Sequence, residues 1–85
     1  MENREKIIKG ELLLPPSLIL GTPLHELGLS HRPYWILKAV GIKTLGQLVQ
    51  YSPHDLLKFR NFGRKSLAEV MYMLEQRGLE FLGKN

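Results

Sequence analysis

The chain has 85 residues, 44% of them hydrophobic and 24% charged, the composition of one small globular domain with a modest core. It contains no cysteine, so disulfides and cysteine-ligated zinc are excluded and packing alone must hold the fold. The formal charge is +4, and its placement says more than its size. Residues 31–65 carry Arg32, Lys38, Lys43, Lys58, Arg60, Arg64 and Lys65 against Asp55 alone, whereas the segments on either side are each acidic by one charge. A surface that meets a polyanion has this distribution, and so does a solvated basic face. No apolar stretch approaches the roughly 20 residues that span a bilayer. The nearest candidate, Leu12–Leu20, is interrupted by Pro15, Pro16 and Ser17. The start, MENREKIIKG, mixes acids with bases and lacks a small-residue cleavage site, so a cytoplasmic location with no membrane partner is expected.

Up to about Gly21 no helical period is sustained. Residues 1–17 read as a partly mobile N-terminal extension, 18–83 as the folded domain and 84–85 as a tail. Leu12–Leu14 and Leu18–Leu20 are too apolar to leave in water and are expected to drape over the core. Thr22-Pro23 predicts a capped turn through about Leu27. Ser30 predicts the cap of a helix with Ile36, Leu37 and Val40 on one face, Pro33 in its first turn and Gly41 as C-cap. Thr44-Leu45-Gly46-Gln47 matches a capping box, with Gln47 reaching back to the residue 44 N–H, and opens a helix holding Leu45, Leu48 and Val49. Ser52-Pro53-His54-Asp55 opens another, with Leu56 and Leu57 facing inward. After the tight connection Arg60-Asn61-Phe62-Gly63, a longer helix runs from about Arg64 to Arg77, burying Leu67, Val70, Met71 and Leu74 and ending at Gly78. No strand alternation appears. The expected fold is all-α, a compact bundle of about five short helices containing a helix–hairpin–helix.

Two groups of residues suggest binding chemistry. Leu56–Leu67, LLKFRNFGRKSL, is a helix, a glycine-bearing turn and a helix whose start is rich in Lys and Ser. Gly63 permits close backbone approach, the first N–H groups of the next helix are unpaired, and Arg64, Lys65 and Ser66 supply charge and a hydroxyl donor. An ordinary hairpin with exposed bases is the bland alternative. Four bases without an acid between Lys58 and Lys65 favour phosphate binding. The second group is Arg32 with Trp35, three apart and so on one helix face. Trp35 either folds back into the core or stays partly exposed. Catalytic and metal chemistry find no support. His25, His31 and His54 lack ligand spacing, nothing resembles a nucleophile turn, and Glu69 and Glu75 lie six apart on different faces. Tyr72 and Met73 are expected to pack rather than bind a cofactor. No enzyme activity, cofactor or metal is expected.

The run from Leu45 to Gly78, LGQLVQYSPHDLLKFRNFGRKSLAEVMYMLEQRG, closely resembles the C-terminal domain of the bacterial RNA polymerase α subunit. Its Asn61–Glu69 stretch matches the family pattern N-(L/F)-G-(R/K)-K-S-L-x-E, and Leu27–Arg32 and Leu37–Ile42 fit upstream. The resemblance covers about residues 18–83. It implies binding to the minor groove of A·T-rich double-stranded DNA upstream of promoters, with RNA polymerase, σ factor or transcription activators as further partners. It implies a DNA-binding set of Arg32, Trp35, Asn61, Gly63, Arg64, Lys65, Ser66 and Glu69. Arg32 matches the family's minor-groove arginine, and Gly63, Lys65, Ser66 and Glu69 match its hairpin and following acid. The resemblance is broken at two places. Trp35 replaces a DNA-contacting asparagine, and Gly28 replaces an acid used for σ contact. The α subunit's large assembly domain has no counterpart here, which leaves a free-standing relative and a piece of a longer protein both open. The rival function is a protein–protein adaptor on the same fold, with weakened DNA binding and an exposed Trp35 as anchor. More remote is a helix–hairpin–helix accessory domain of DNA repair.

Overall fold

The computed structural model describes residues 16–83. Among them run five α-helices: α1, Pro16–Leu20; α2, His31–Ala39; α3, Leu45–Leu48; α4, Pro53–Leu57; and α5, Arg64–Gln76. A 3-10 turn, Leu24–Glu26, joins α1 to α2. The only extended pairing among the described residues is one bridge between Pro23 and Thr44. The all-α class and the helix–hairpin–helix, α4 to α5, are as the sequence predicts. The predicted extension falls outside the described residues as far as residue 15, as does the tail, residues 84–85.

Local chemistry sets most boundaries. Ser52 closes a reciprocal capping box on α4: its Oγ accepts from the Asp55 N–H at 3.0 Å, and its own N–H donates to Asp55 Oδ2 at 3.0 Å. Pro53 sits at the first helical position, where its missing N–H costs nothing. Gly41 and Gly78 take left-handed φ values of 95° and 70° after α2 and α5. Each lets the next residue's N–H reach back to the helix, Ile42 to the Leu37 carbonyl at 3.0 Å and Leu79 to the Leu74 carbonyl at 2.9 Å.

Four local expectations need correction. The segment before Gly21 holds a helical turn, α1, where an irregular drape was expected. Thr22 does not cap the turn that follows it, because its hydroxyl donates to the Ile19 carbonyl at 2.7 Å and closes the end of α1. Thr44 does cap α3, but Gln47 Oε1 accepts from the Lys43 N–H at 2.6 Å, one residue earlier than expected. Thr44 itself is extended and bridged to Pro23, with Leu24 N–H bonded to the Lys43 carbonyl and Leu45 N–H to the Thr22 carbonyl. Ser30, expected to cap α2 with its side chain, makes no such bond within its own helix.

The core forms around Leu37, Ile42, Leu45, Leu48, Leu56, Val70 and Leu74, as α2 and α4 pack on α5 and α1 packs on α3. Leu37, Leu48, Leu56, Val70 and Leu74 are buried as predicted. The faces of the longer helices are rotated from the predicted ones. On α5 the buried set is Ser66, Val70, Met73 and Leu74, while Met71 and Tyr72 are exposed and Leu67 is half-buried. A serine is small enough to sit under the packed start of the helix, and an apolar count alone overlooks it. On α2 Pro33 and Leu37 are buried, and Val40 is exposed just past the last turn. On α4 Leu56 faces inward and Leu57, one residue or 100° further round, is 40% exposed. Leu18 on α1 is also exposed, contrary to expectation, whereas Ile19 and Leu20 pack on the core. Leu12–Leu14 lie outside the described residues.

Candidate nucleic-acid interface

The hairpin is anchored from beneath by aromatic rings. Tyr51 meets Phe59 edge-on at 5.7 Å, and Phe59 meets Phe62 at 6.4 Å. Phe62 is buried, which turns its neighbours Asn61 and Gly63 outward. Asn61 has φ 64°, a left-handed value that asparagine tolerates better than most residues. Gly63 is the N-cap of α5 and provides no side-chain hydrogen bond, so no local side-chain group competes for the first N–H groups of that helix. Its backbone is extended, at φ −106° and ψ −170°, so conformation does not require glycine here. A Cβ at Gly63 would meet nothing within 4 Å, which leaves the space over the helix start open. Arg60, Arg64 and Lys65 are exposed around it, and the helix dipole adds positive potential. Ser66 is only 6% exposed. The hairpin thus presents Asn61, Gly63, Arg64 and Lys65 outward and tucks Ser66 beneath them.

The start of α2 is held from α5. Ser30 donates its N–H to Glu69 Oε2 at 2.5 Å and its hydroxyl to Glu69 Oε1 at 2.6 Å. Both carboxylate oxygens therefore meet the cap residue of another helix, at its positive end. Arg32, two residues on, is exposed. It lines an open groove with His31, Trp35, Ile36 and Asn61. This groove brings Arg32 and Trp35 together with the hairpin's Asn61. Arg64, Lys65 and Ser66 do not line it.

Trp35 is 49% exposed, which resolves the choice left open by its sequence position. Its ring is braced edge-on by Tyr34 at 5.1 Å and tilted against His31 at 6.0 Å. Lys38 Nζ lies 5.9 Å from the centroids of both Tyr34 and Trp35. The sequence reading missed Ser30, His31, Tyr34 and Lys38 as members of this region. The i, i+4 spacings His31–Trp35 and Tyr34–Lys38 were the available signal; none existed for Ser30 with Glu69. Among the described residues no group of three or more His, Cys, Asp or Glu could hold a metal, and no helix is long and apolar enough to cross a membrane.

A short-helix domain with a helix–hairpin–helix and bases gathered at two helix starts is the class defined by this fold and site. Residues 17–76 match the family model of the C-terminal domain of the bacterial RNA polymerase alpha chain. The protein is 52% identical over 63 residues to the DNA-directed RNA polymerase subunit alpha of Salinibacter ruber, an alignment that takes in 74% of this sequence and 19% of that one. Against the subunit of Bacteroides fragilis it is 51% identical over 63 residues, again 74% of this sequence and 19% of the relative. Against that of Cutibacterium acnes it is 53% identical over 60 residues, 71% of this sequence and 18% of the relative. The protein belongs to the family formed by the C-terminal domains of bacterial RNA polymerase alpha subunits. It spans about a fifth of the length of these relatives.

Proposed function

We propose that this protein is a non-catalytic DNA-binding module of transcription, gripping the minor groove of A·T-rich duplex and working beside RNA polymerase with σ factor or activators. The groove that joins Arg32 to Asn61 carries this reading, because it runs from the start of α2 to the hairpin residue that lies two positions before Gly63, the cap of α5. Arg32 enters the narrow, strongly negative A·T minor groove. Gly63, Arg64 and Lys65, with the open N–H groups of α5, take the flanking phosphates. Asn61 lies between the two. Ser66 and Glu69 support the interface from within, Ser66 under the start of α5 and Glu69 as a positioning residue that sets the start of α2 against α5. Trp35 replaces amide readout with a large apolar surface and one N–H donor.

Titrating A·T-rich and G·C-rich duplexes across a range of salt concentrations tests the reading. Affinity should fall as salt rises. Lys65→Ala should lower the salt slope by about one on both sequences. Arg32→Ala should cost about 1–3 kcal/mol on the A·T-rich duplex and less on the G·C-rich one. Equal losses for Arg32→Ala on both would remove the minor-groove assignment, and salt-insensitive or absent binding would remove DNA altogether.

One observation favours the adaptor reading. Trp35 also borders a second recess, lined by Leu24, His25, Leu29, His31 and Tyr34, beside the exposed cation Lys38. An adaptor would bind a protein partner through Trp35 while duplex affinity stayed weak even at low salt.

A further inference from the structure

We propose that Trp35 is a stacking platform for a nucleobase that has left the helical stack, so that this domain prefers A·T-rich duplex containing an unstacked or unpaired base. The inference rests on the DNA reading above and names the feature of DNA that the Trp35 groove recognises.

The indole is half exposed yet held in place. Tyr34 packs on it at 5.1 Å with an interplanar angle of 80°, and His31 tilts against it at 6.0 Å. Ordering a flat side chain costs entropy on binding, and these rings have already met that cost. The adjoining groove, about 850 Å³, lies within the size range of small-ligand clefts. Its other walls are His31, Arg32, Ile36 and Asn61. The charge there is cationic, with no acid. Arg32 offers a planar guanidinium for stacking or for phosphate. The Asn61 amide both donates and accepts, which suits the edge of a base. Trp35 and Ile36 give the groove apolar surface beside the polar groups of His31, Arg32 and Asn61, the mixture that a flat heterocycle with polar edges requires. Asn61 is also two residues from Gly63, so a base in the groove would lie next to the phosphate-binding helix start.

Geometry then selects the state of the base. An intact minor groove is about 6 Å wide and shows only base edges. An indole face cannot lie flat on a base that is still stacked in the duplex. The base must leave the stack, and this costs least at a flexible step or where the base is already unpaired.

The test uses two A·T-rich duplexes, one intact and one carrying a single extrahelical adenine. Trp35 is the only tryptophan, so its emission reports the contact directly. Wild-type protein should bind the bulged duplex more tightly, with stronger quenching of Trp35. Trp35→Ala should lose about tenfold or more on the bulged duplex, the range of base–aromatic stacking, and clearly less on the intact one. Trp35→Phe should keep most of the bulge preference, and circular dichroism should show both variants folded. Equal loss on both duplexes, a gain on both, or unchanged emission would overturn the stacking role and leave Trp35 to a protein partner. If Lys65→Ala still weakens binding to the intact duplex while no bulge preference exists, the stacking inference fails alone. If neither duplex binds in a salt-sensitive way, the DNA reading fails and takes this inference with it.

Discussion

Ser52 and Ser30 both stand at helix starts, and each satisfies its hydrogen bonds in a different way. At α4 the bonds close within four residues. Ser52 and Asp55 exchange two hydrogen bonds, and the serine is buried. At α2 the partner comes from 39 residues away, where Glu69 takes both the N–H and the hydroxyl of Ser30. The first arrangement forms as soon as its own turn forms. The second exists only when α5 has docked. A locally closed helix start can serve as scaffold beneath the hairpin. A start closed across helices ties the presentation of Arg32 to the position of the hairpin, as the proposed two-part binding surface requires.

The sharpest test of α4 as scaffold lies one turn beyond its cap. Leu56 is fully buried and Leu57 is 40% exposed. Leu56→Ala should destabilise by about 2–5 kcal/mol in a urea melt, and Leu57→Ala by less than about 1 kcal/mol. Comparable losses would mean that α4 is packed on both sides, and its role would need redrawing.

The same division separates what could be read in the sequence from what could not. The helix start at Ser52 and the glycine ends at Gly41 and Gly78 are chemistry within a few residues, and each was legible, although the box was expected at Thr44 and closes at Ser52. The phase of α5 was not. Leu67, Val70 and Met71 make a plausible apolar stripe, but the docked helices cover Ser66 and Met73 instead of Met71. Thr22-Pro23 has the composition of a helix start, yet the long-range bridge to Thr44 determines its geometry. At the interface the basic hairpin and Arg32 were visible as charge, and their juncture through Asn61 was not. The Ser30–Glu69 contact depends wholly on tertiary packing. Glu69 was expected at the interface from the resemblance, whereas the bonds of its carboxylate could be found only in the structure.

A smaller effect should follow from opening the local cap. Ser52→Ala should cost about 1 kcal/mol and leave DNA affinity unchanged. The cap also has a pH signature. The N–H of Ser52, bonded to the Asp55 carboxylate, holds that carboxyl below its ordinary 3.8; burial opposes this, and the Ser52 hydroxyl, Lys58 and His54 assist. A depressed folded value means that the stabilisation is complete above the ordinary carboxylate range and disappears as pH falls through the folded value. Wild-type protein should therefore keep a constant advantage in melting temperature over Asp55→Asn above about pH 5 and lose it in stronger acid. An advantage that grew with acidity would contradict the capping geometry.

The smallest expected effect is also the most discriminating, because it separates the charge of Glu69 from its shape. Glutamine keeps an acceptor for the Ser30 N–H, and its amide donates to the Ser30 hydroxyl in place of accepting from it. Charged acceptors make bonds roughly twice as strong as neutral ones, but both bonds to Ser30 are exposed to solvent, which reduces the difference, so Glu69→Gln should cost about 1 kcal/mol of stability or less. The substitution also removes a negative charge beside two basic helix starts. Duplex affinity should rise slightly at low salt, and the gain should fade as salt screens it. Glu69→Ala removes both bonds to Ser30, so the start of α2 is no longer tied to α5. Arg32 then loses its fixed relation to the hairpin, and discrimination between A·T-rich and G·C-rich duplexes should fall more than total affinity does. Gln close to wild type with Ala impaired in selectivity is the pattern of a positioning residue. If Gln and Ala instead lose affinity equally, the carboxylate charge itself takes part in binding, and the contrast drawn between Ser30 and Ser52 no longer explains how the interface is built.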